Sequence, residues 1–139
     1  MQKIIVDTNV IVSALISNNL PSKIINDIIL TGNVHLCMSE PVYEEYIDVL
    51  NRPKFAKFPE FKRRAEIVLS KISEVGIYYT PKVKVDIISD TSDNMFLELA
   101  LESSADFLIT GNTNDFNLRE FEYTKIVTPR EYWDLYADI

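Results

Sequence analysis

The sequence predicts a three-layer α/β domain with a mostly parallel sheet. Short apolar segments alternate with helical patterns along the whole chain, and this order of elements is typical of parallel strands covered by helices. The first apolar segment, Ile4-Ile5-Val6, has no polar position, as in a strand buried on both faces. With 139 residues, 47% of them hydrophobic, the chain suits one domain with its own core, and we expect residues 1–139 to form it.

The first half of the chain is predicted to contain two strand–helix units. Its elements are a strand at 4–6, helices at 10–15 and 21–32, a strand at 34–38 and a helix at about 40–51. Pro21 opens the second helix and Gly32 suits its C-cap, while Ser39 is a favoured N-cap residue for the third helix. The first strand ends directly at Asp7.

The second half of the chain continues the alternation. We expect a loop at 52–59, a helix at about 60–74, a strand at 76–80, a helix at 91–104, strands at 107–110 and 125–128, and a short helix from Pro129. Asp90 is the expected N-cap of the helix from Thr91. In such a sheet, ligand sites lie beyond the carboxyl ends of the strands.

The composition restricts the compartment. A single cysteine, Cys37, excludes an intrachain disulfide, and Lys3 and Asp7 interrupt the region in which a signal peptide would be apolar. The longest apolar runs are far shorter than the roughly 18 to 20 residues needed to cross a bilayer. We therefore expect a cytoplasmic protein without a membrane segment.

The charge distribution limits how the chain can bind nucleic acid. The net charge of −7 argues against a broad positive surface that coats nucleic acid by counterion release. Six of the 14 basic residues nevertheless lie within 13 positions: Arg52, Lys54, Lys57, Lys62, Arg63 and Arg64. This segment is a candidate contact for RNA or for a partner protein. The alternative is a solvated loop and helix face.

Asp7 and Glu45 are the first two candidate ligands. Asp7 follows the first strand, at the sheet edge where α/β domains place their sites, although it could also cap the next helix. Glu45 borders an apolar helical stripe, whereas Glu44 is rotated by about 100° toward solvent. The stripe consists of Val42, Tyr43, Tyr46, Val49 and Leu50. As an isolated observation, Glu45 could equally be an ordinary surface glutamate.

Asp93 and Asp115 complete the acidic set. Asp93 falls near the middle of an apolar stripe formed by Phe96, Leu97, Ala100, Leu101 and Ser104, but a capping box with Asp90 would also account for it. Asp115 lies in the polar loop after the fourth strand, which begins at Thr110 and includes Asn112. Glycine, asparagine and aspartate also favour turns, so a plain turn is the alternative for this loop.

Clustered carboxylates predict a hard metal ion. Two of them about 4 Å apart repel by roughly 4 kcal/mol at an effective dielectric of 20, so a cluster needs protonation or a cation. Oxygen ligands suit Mg²⁺ or Mn²⁺, and such ions clamp a phosphodiester, activate water and stabilise a leaving oxygen. His35 is the only histidine, and it lies on one strand with Cys37 in a segment expected to be buried, which argues against a Cys–His nucleophile.

Taken together, these motifs resemble the PIN domain family, and within it the bacterial and archaeal toxin components of toxin–antitoxin pairs, the VapC-like ribonucleases. The resemblance covers nearly the whole chain. It rests on the motifs at residues 5–10, 39–50, 90–100 and 105–112, which read IVDTNV, SEPVYEEYIDVL, DTSDNMFLELA and ADFLITGN. The order of these motifs is more specific than any one of them.

The resemblance implies a Rossmann-like sheet of order 3-2-1-4-5 and a Mg²⁺-dependent endoribonuclease. Asp7, Glu45 and Asp93 match the family's acidic triad, and Asp115 matches its less constant fourth acid. Many relatives carry aspartate at the position of Asn112, so the resemblance supports one metal site here and leaves open whether a second ion binds. It also implies an RNA substrate, a cognate antitoxin and a homodimer or larger homo-oligomer. The residues expected to orient the substrate or Asp7 are Thr8, Asn9, Thr110 and Asn112.

Two other interpretations fit an acidic cluster at strand ends. A receiver-like phosphoacceptor domain also has one, but it needs a lysine near the carboxyl end of its last strand, and here Lys125 comes at the start of that strand. A PIN-like scaffold without nuclease activity is the second alternative, and a cleavage assay with metal would distinguish it.

Overall fold

The chain folds around one six-stranded sheet. Its structure, a computed structural model, describes residues 1–88, 91–111, 116 and 118–137. The strands are β1 (Lys3–Val6), β2 (His35–Met38), β3 (Ile77–Tyr78), β4 (Phe107–Ile109), β5 (Glu120–Phe121) and β6 (Thr124–Val127). Their order across the sheet is β3-β2-β1-β4-β6-β5, so the two largely buried strands β1 and β4 lie at its centre.

Helices cover the sheet and connect its strands. They are α1 (Thr8–Ile16), α2 (Leu20–Lys23), α3 (Glu40–Leu50), α4 (Phe61–Val75), α5 (Thr91–Ser103) and α6 (Pro129–Leu135). A π-helical segment, Ile24–Ile29, continues α2, and a short 3₁₀ turn, Pro53–Phe55, lies between α3 and α4. Among the described residues, no helix is both long enough and apolar enough to span a membrane.

The strand register determines what lies at the carboxyl edge of the sheet. β1 pairs in parallel with β2 on one side and with β4 on the other, and Val6 is opposite Ile109. The backbone N–H of Asp7 donates to the Ile109 carbonyl at 2.9 Å and extends this ladder by one residue. The residues that follow β1 and β4, Asp7 and Thr110, are therefore neighbours at the sheet edge.

The expected strand order is correct for five strands and incomplete for the sixth. β3, β2, β1, β4 and β6 follow the order 3-2-1-4-5, but β5 adds an antiparallel hairpin strand beyond β6 that the sequence did not indicate. β5 contains only two residues, and its turn places Glu122 at φ 51° without a glycine. A strand this short has too few positions for an alternating pattern.

The helix patterns are confirmed closely for α3 and less well for α5. Ser39 caps α3 by accepting from the backbone N–H of Val42, and the stripe is buried at Val42, Tyr46, Val49 and Leu50, with Tyr43 half-buried. In α5, Leu99 is also completely buried, so more than one side of this helix is covered. The expectation for Ser104 was wrong, because α5 ends at Ser103 and Ser104 is exposed at φ 52°.

Candidate active site

Asp7 is a buried carboxylate at the carboxyl end of β1. Only 5% of its surface is exposed, and its Oδ2 accepts a 2.7 Å hydrogen bond from the hydroxyl of Thr110. Asp7 occupies the N-cap position of α1, yet its side chain makes no capping hydrogen bond. A full capping hydrogen bond therefore does not account for this aspartate, although the backbone N–H groups of Thr8 and Asn9 lie near its carboxylate.

The surroundings of Asp7 disfavour its charge. The pKa of Asp7 is raised from 3.8 to about 6, with burial as the largest cause and the negative charge of Glu45 as a smaller one. The hydroxyl of Thr110 and the nearby backbone N–H groups of Thr8 and Asn9 act in the opposite direction, because they stabilise the ionised form. A cation at this position would relieve both the desolvation and the repulsion, so the carboxylate is suited to bind one.

Glu45 lies beside Asp7, as its place on the helical projection predicted. Its side chain is half-buried, whereas that of Glu44 is exposed. The hydroxyl of Thr8, the first residue of α1, donates to Oε2 of Glu45 at 3.1 Å. Two carboxylates from β1 and α3 are therefore brought together, and a threonine hydroxyl contacts each of them.

Tyr46 lies close to the two carboxylates and was not recognised as a site residue from the sequence. It is completely buried, and its hydroxyl donates to the backbone carbonyl of Val6. Burial raises the pKa of Tyr46 well above its ordinary value, and the charges of Asp7 and Glu45 add to this effect. In the sequence, a tyrosine in an apolar stripe is indistinguishable from a core residue.

Asp93 is placed by the structure, but the described residues do not bring it into a cluster of three carboxylates. Asp93 lies in the first turn of α5 and is half-buried. Its neighbour Asn94 fixes the start of this helix by accepting from the N–H groups of Ile87 and Ile88 and donating to the Ile88 carbonyl. Within the described part of the chain, no group of three or more His, Cys, Asp or Glu side chains is placed to hold a metal ion.

Three residues named from the sequence lie outside the described residues. They are Asp90, the expected cap of α5, together with Asn112 and Asp115 of the loop after β4. Their expected roles therefore stay predictions. The same is true of Asp93 as a ligand, although its place in the first turn of α5 is described.

The predicted orienting residues fall into two groups. The hydroxyls of Thr8 and Thr110 bind Glu45 and Asp7, so both threonines contact the acids themselves. Thr110 is completely buried, and its hydrogen bond links the ends of β1 and β4. Asn9 is exposed on α1. Only tertiary pairing reveals the contact of Thr110, because 103 residues separate it from Asp7.

The basic segment, residues 52–64, comprises the connection from α3 to α4 and the first turn of α4. All six of its cationic side chains are exposed. The ammonium groups of Lys54 and Lys57 lie 5.3 and 5.4 Å from the ring centroids of the adjacent phenylalanines. Arg52 pairs with Asp48 at 3.4 Å and Arg63 with Glu60 at 3.2 Å, and both pairs are exposed. Such exposed pairs are weak, so they leave these cations accessible to a partner.

A thiol nucleophile is not supported. Cys37 is completely buried, and this burial raises the pKa of its thiol above the ordinary value, so the reactive thiolate is disfavoured. His35 is half-buried at the start of β2. The sequence-based argument against a Cys–His pair agrees with these positions.

The chemistry of Asp7 and Glu45 fits a magnesium or manganese ion. Mg²⁺ is usually bound through one or two carboxylates, with water and substrate phosphates completing its octahedral shell. Asp7 supplies a desolvated carboxylate, and Glu45 on α3 supplies a second one, close enough to raise the pKa of Asp7. The chain therefore belongs to the class of α/β domains whose site lies at the carboxyl edge of a mostly parallel sheet. Here a pair of carboxylates, Asp7 and Glu45, lies beyond the central strand.

Comparison with known proteins identifies the family within this class. The model of the PIN domain family matches residues 3–114, and the chain belongs to this family. An uncharacterized protein of Methanocaldococcus jannaschii is 30% identical over 94% of this chain and 88% of its own length. PIN domains are generally nucleases that depend on divalent metal ions.

A solved structure shows the same fold. The chain matches the crystal structure of VapBC2 from Rickettsia felis bound to a DNA fragment from their promoter, with a TM-score of 0.59 and 17% sequence identity. The match covers 91% of this chain and 98% of that chain. At this identity the likeness concerns the fold, and it agrees with the three-layer architecture predicted from the sequence.

Proposed function

We propose that the chain is a Mg²⁺-dependent endoribonuclease and the toxin of a type II toxin–antitoxin pair. The observation that carries this proposal is the buried carboxylate of Asp7, with a pKa of about 6 and with Glu45 beside it. A PIN domain that maintains such an unfavourable arrangement at the edge of its sheet has a site suited to a divalent cation.

In this proposal, Asp7, Glu45 and Asp93 hold the metal ion, and Asp115 lies close by. A bound Mg²⁺ or Mn²⁺ supplies charge stabilisation for the phosphodiester and an activated water. Thr110 and Thr8 keep the carboxylates of Asp7 and Glu45 in place, as their hydrogen bonds indicate. Asn9 and Asn112 are proposed to orient the RNA.

The basic segment is the proposed contact for RNA. α3 ends at Leu50, five residues after Glu45, so its end lies about 8 Å farther along the helix axis at 1.5 Å per residue, and Arg52 follows two residues later. Single-strand-binding sites extend over about 4 to 16 nucleotides, so one strand can reach both places. We propose that Arg52, Lys54, Lys62, Arg63 and Arg64 contact its phosphates, and that the antitoxin is the alternative partner for this surface.

The toxin assignment rests on likeness. The Rickettsia felis structure is a VapBC2 assembly, which supports an antitoxin partner for this chain. We further propose a cytoplasmic homodimer or larger homo-oligomer, as the family resemblance implies. A short gene next to this one would support the toxin assignment.

The receiver-like alternative is not supported. The chain belongs to the PIN domain family, and Lys125 pairs with Phe107 at the amino end of β4, the edge opposite Asp7. A PIN-like scaffold without activity remains the competing proposal, and it makes the opposite prediction in a cleavage assay.

The test is cleavage of a labelled single-stranded RNA by the purified protein with Mg²⁺, with Mn²⁺ or with EDTA. We expect cleavage in both metals, none in EDTA, and none by Asp7→Asn in any condition. The metals should also raise the melting temperature of the wild type, since a ligand at 100 times its Kd stabilises the folded state by about 2.7 kcal/mol. Metal-dependent stabilisation without cleavage would favour the scaffold.

A further inference from the structure

We infer that Tyr46 is a positioning residue, which fixes Glu45 relative to Asp7 through its hydrogen bond to the Val6 carbonyl. This inference rests on the proposed metal site and extends it to a residue that cannot itself touch the metal or the RNA. Tyr46 is completely buried, and its hydroxyl is directed at the backbone.

The position of this hydrogen bond in the sequence is the first part of the argument. Val6 immediately precedes Asp7, and Tyr46 immediately follows Glu45. The hydrogen bond therefore joins the neighbours of the two carboxylate residues. A shift of α3 along β1 would break this hydrogen bond, because the hydroxyl is the only group of the tyrosine side chain that can donate to the Val6 carbonyl.

The second part is the hydrogen bond from Thr8 to Glu45. Thr8 follows Asp7, so residues 6 and 8 each contact α3, one through Tyr46 and the other through Glu45. A single contact would permit α3 to rotate about it. Two contacts, one on either side of Asp7, restrict both the distance and the rotation of the helix. They therefore limit the separation of the two carboxylates before any cation binds.

The chain provides a matched control in Tyr132. It is also completely buried, and its hydroxyl donates to Oε1 of Gln2 at 2.7 Å, next to the amino end of β1. Tyr46→Phe and Tyr132→Phe each remove one buried hydroxyl and retain the ring. A general loss of stability affects both variants, whereas a change in metal affinity should occur only in Tyr46→Phe.

The experiment measures Mn²⁺ binding to the full chain by calorimetry, together with RNA cleavage. Loss of a group that orients a metal ligand typically weakens affinity by about 10- to 100-fold, so we expect at least a tenfold higher Kd in Tyr46→Phe and an unchanged Kd in Tyr132→Phe. The kcat for RNA should fall in Tyr46→Phe with KM unchanged. Equal Mn²⁺ affinity in wild type and Tyr46→Phe would overturn the inference.

A metal-free measurement separates this inference from the proposed function. The unfolding free energies of Tyr46→Phe, Thr8→Val and the double variant should be non-additive, because both hydrogen bonds fix the same two segments. If the unfolding free energies are non-additive and the protein binds Mn²⁺ but cleaves no RNA, the positioning role of Tyr46 is retained and the proposed nuclease activity is rejected. If the unfolding free energies are additive and the protein binds no Mn²⁺, both the positioning role and the proposed metal site are rejected.

Discussion

The hydroxyl of Thr110 donates a 2.7 Å hydrogen bond to Oδ2 of Asp7 and joins the carboxyl ends of β4 and β1. The parallel register of the two strands produces this contact, because Val6 and Ile109 are paired and the next residue of each strand reaches the same edge. The hydrogen bond lowers the pKa of Asp7 and partly offsets the effect of burial.

Replacing Thr110 should therefore raise the pKa of Asp7 above its value of about 6. Thr110→Val keeps the shape of the side chain and removes the donor to the carboxylate. Carbon NMR of the Asp7 carboxyl in metal-free protein measures the change. Thr124→Val is the control, since that buried hydroxyl donates to the Ala105 carbonyl, before β4 rather than after it. An unchanged pKa in Thr110→Val would contradict the assignment of this hydrogen bond.

The stability of the metal-free protein should depend on pH through Asp7. The folded pKa of about 6 is higher than the ordinary 3.8, so the folded state binds the proton more tightly than the unfolded state. This proton binding contributes fully to the free energy of unfolding below pH 3.8, and the contribution is lost as the pH rises through 6. At about 1.4 kcal/mol for each pH unit between the two pKa values, the loss amounts to about 3 kcal/mol.

Asp7→Asn should remove this dependence and should be as stable as the wild type, or more stable, at pH 7.5. Urea unfolding of both proteins in EDTA between pH 4 and 8 gives the difference in unfolding free energy. Asp27→Asn, which changes an exposed aspartate on the π-helical segment, should keep the wild-type dependence. Parallel pH profiles for the wild type and Asp7→Asn would show that the carboxyl is not destabilised by burial.

Glu45→Gln and Glu44→Gln are chemically identical changes at adjacent positions, and they should differ in activity. Glu45 is half-buried beside Asp7, whereas Glu44 is exposed. The neutral amide at 45 should weaken Mg²⁺ binding and reduce RNA cleavage by about 100-fold or more, as loss of transition-state charge stabilisation does. Glu44→Gln should remain nearly as active as the wild type. Circular dichroism checks the fold, and equal activities of the two variants would exclude Glu45 from the site.

Charge reversal should show whether the basic segment contacts RNA. We expect the triple change of Lys62, Arg63 and Arg64 to glutamate to weaken RNA binding and to flatten its salt dependence, because fewer counterions are released. The same reversal at Lys23, Lys82 and Lys84, which are exposed elsewhere, changes the net charge equally and should have a smaller effect. Equal losses in the two triple variants would mean that only net charge matters, and the segment would then be a solvated face.

The sequence alone predicted the fold class and the proximity of two carboxylates, Asp7 directly after β1 and Glu45 on α3. Hydrophobic periodicity reports which side of an element is buried, so it separated Glu45 from Glu44 without coordinates. The same pattern predicted the central strand that ends at Asp7. For β1 and α3, the periodicity of apolar residues agrees with the burial in the structure, so the sequence pattern was sufficient to predict which side chains are buried.

Only the tertiary structure shows the contacts between residues that are distant in the sequence. The contact of Thr110 with Asp7 and that of Tyr46 with Val6 depend on strand register and on how α3 lies against the sheet. The short strand β5 is defined by its pairing with β6 rather than by its own residues. Hydrogen bonds between segments distant in the chain leave no periodic signal, because each partner is placed by a different part of the fold.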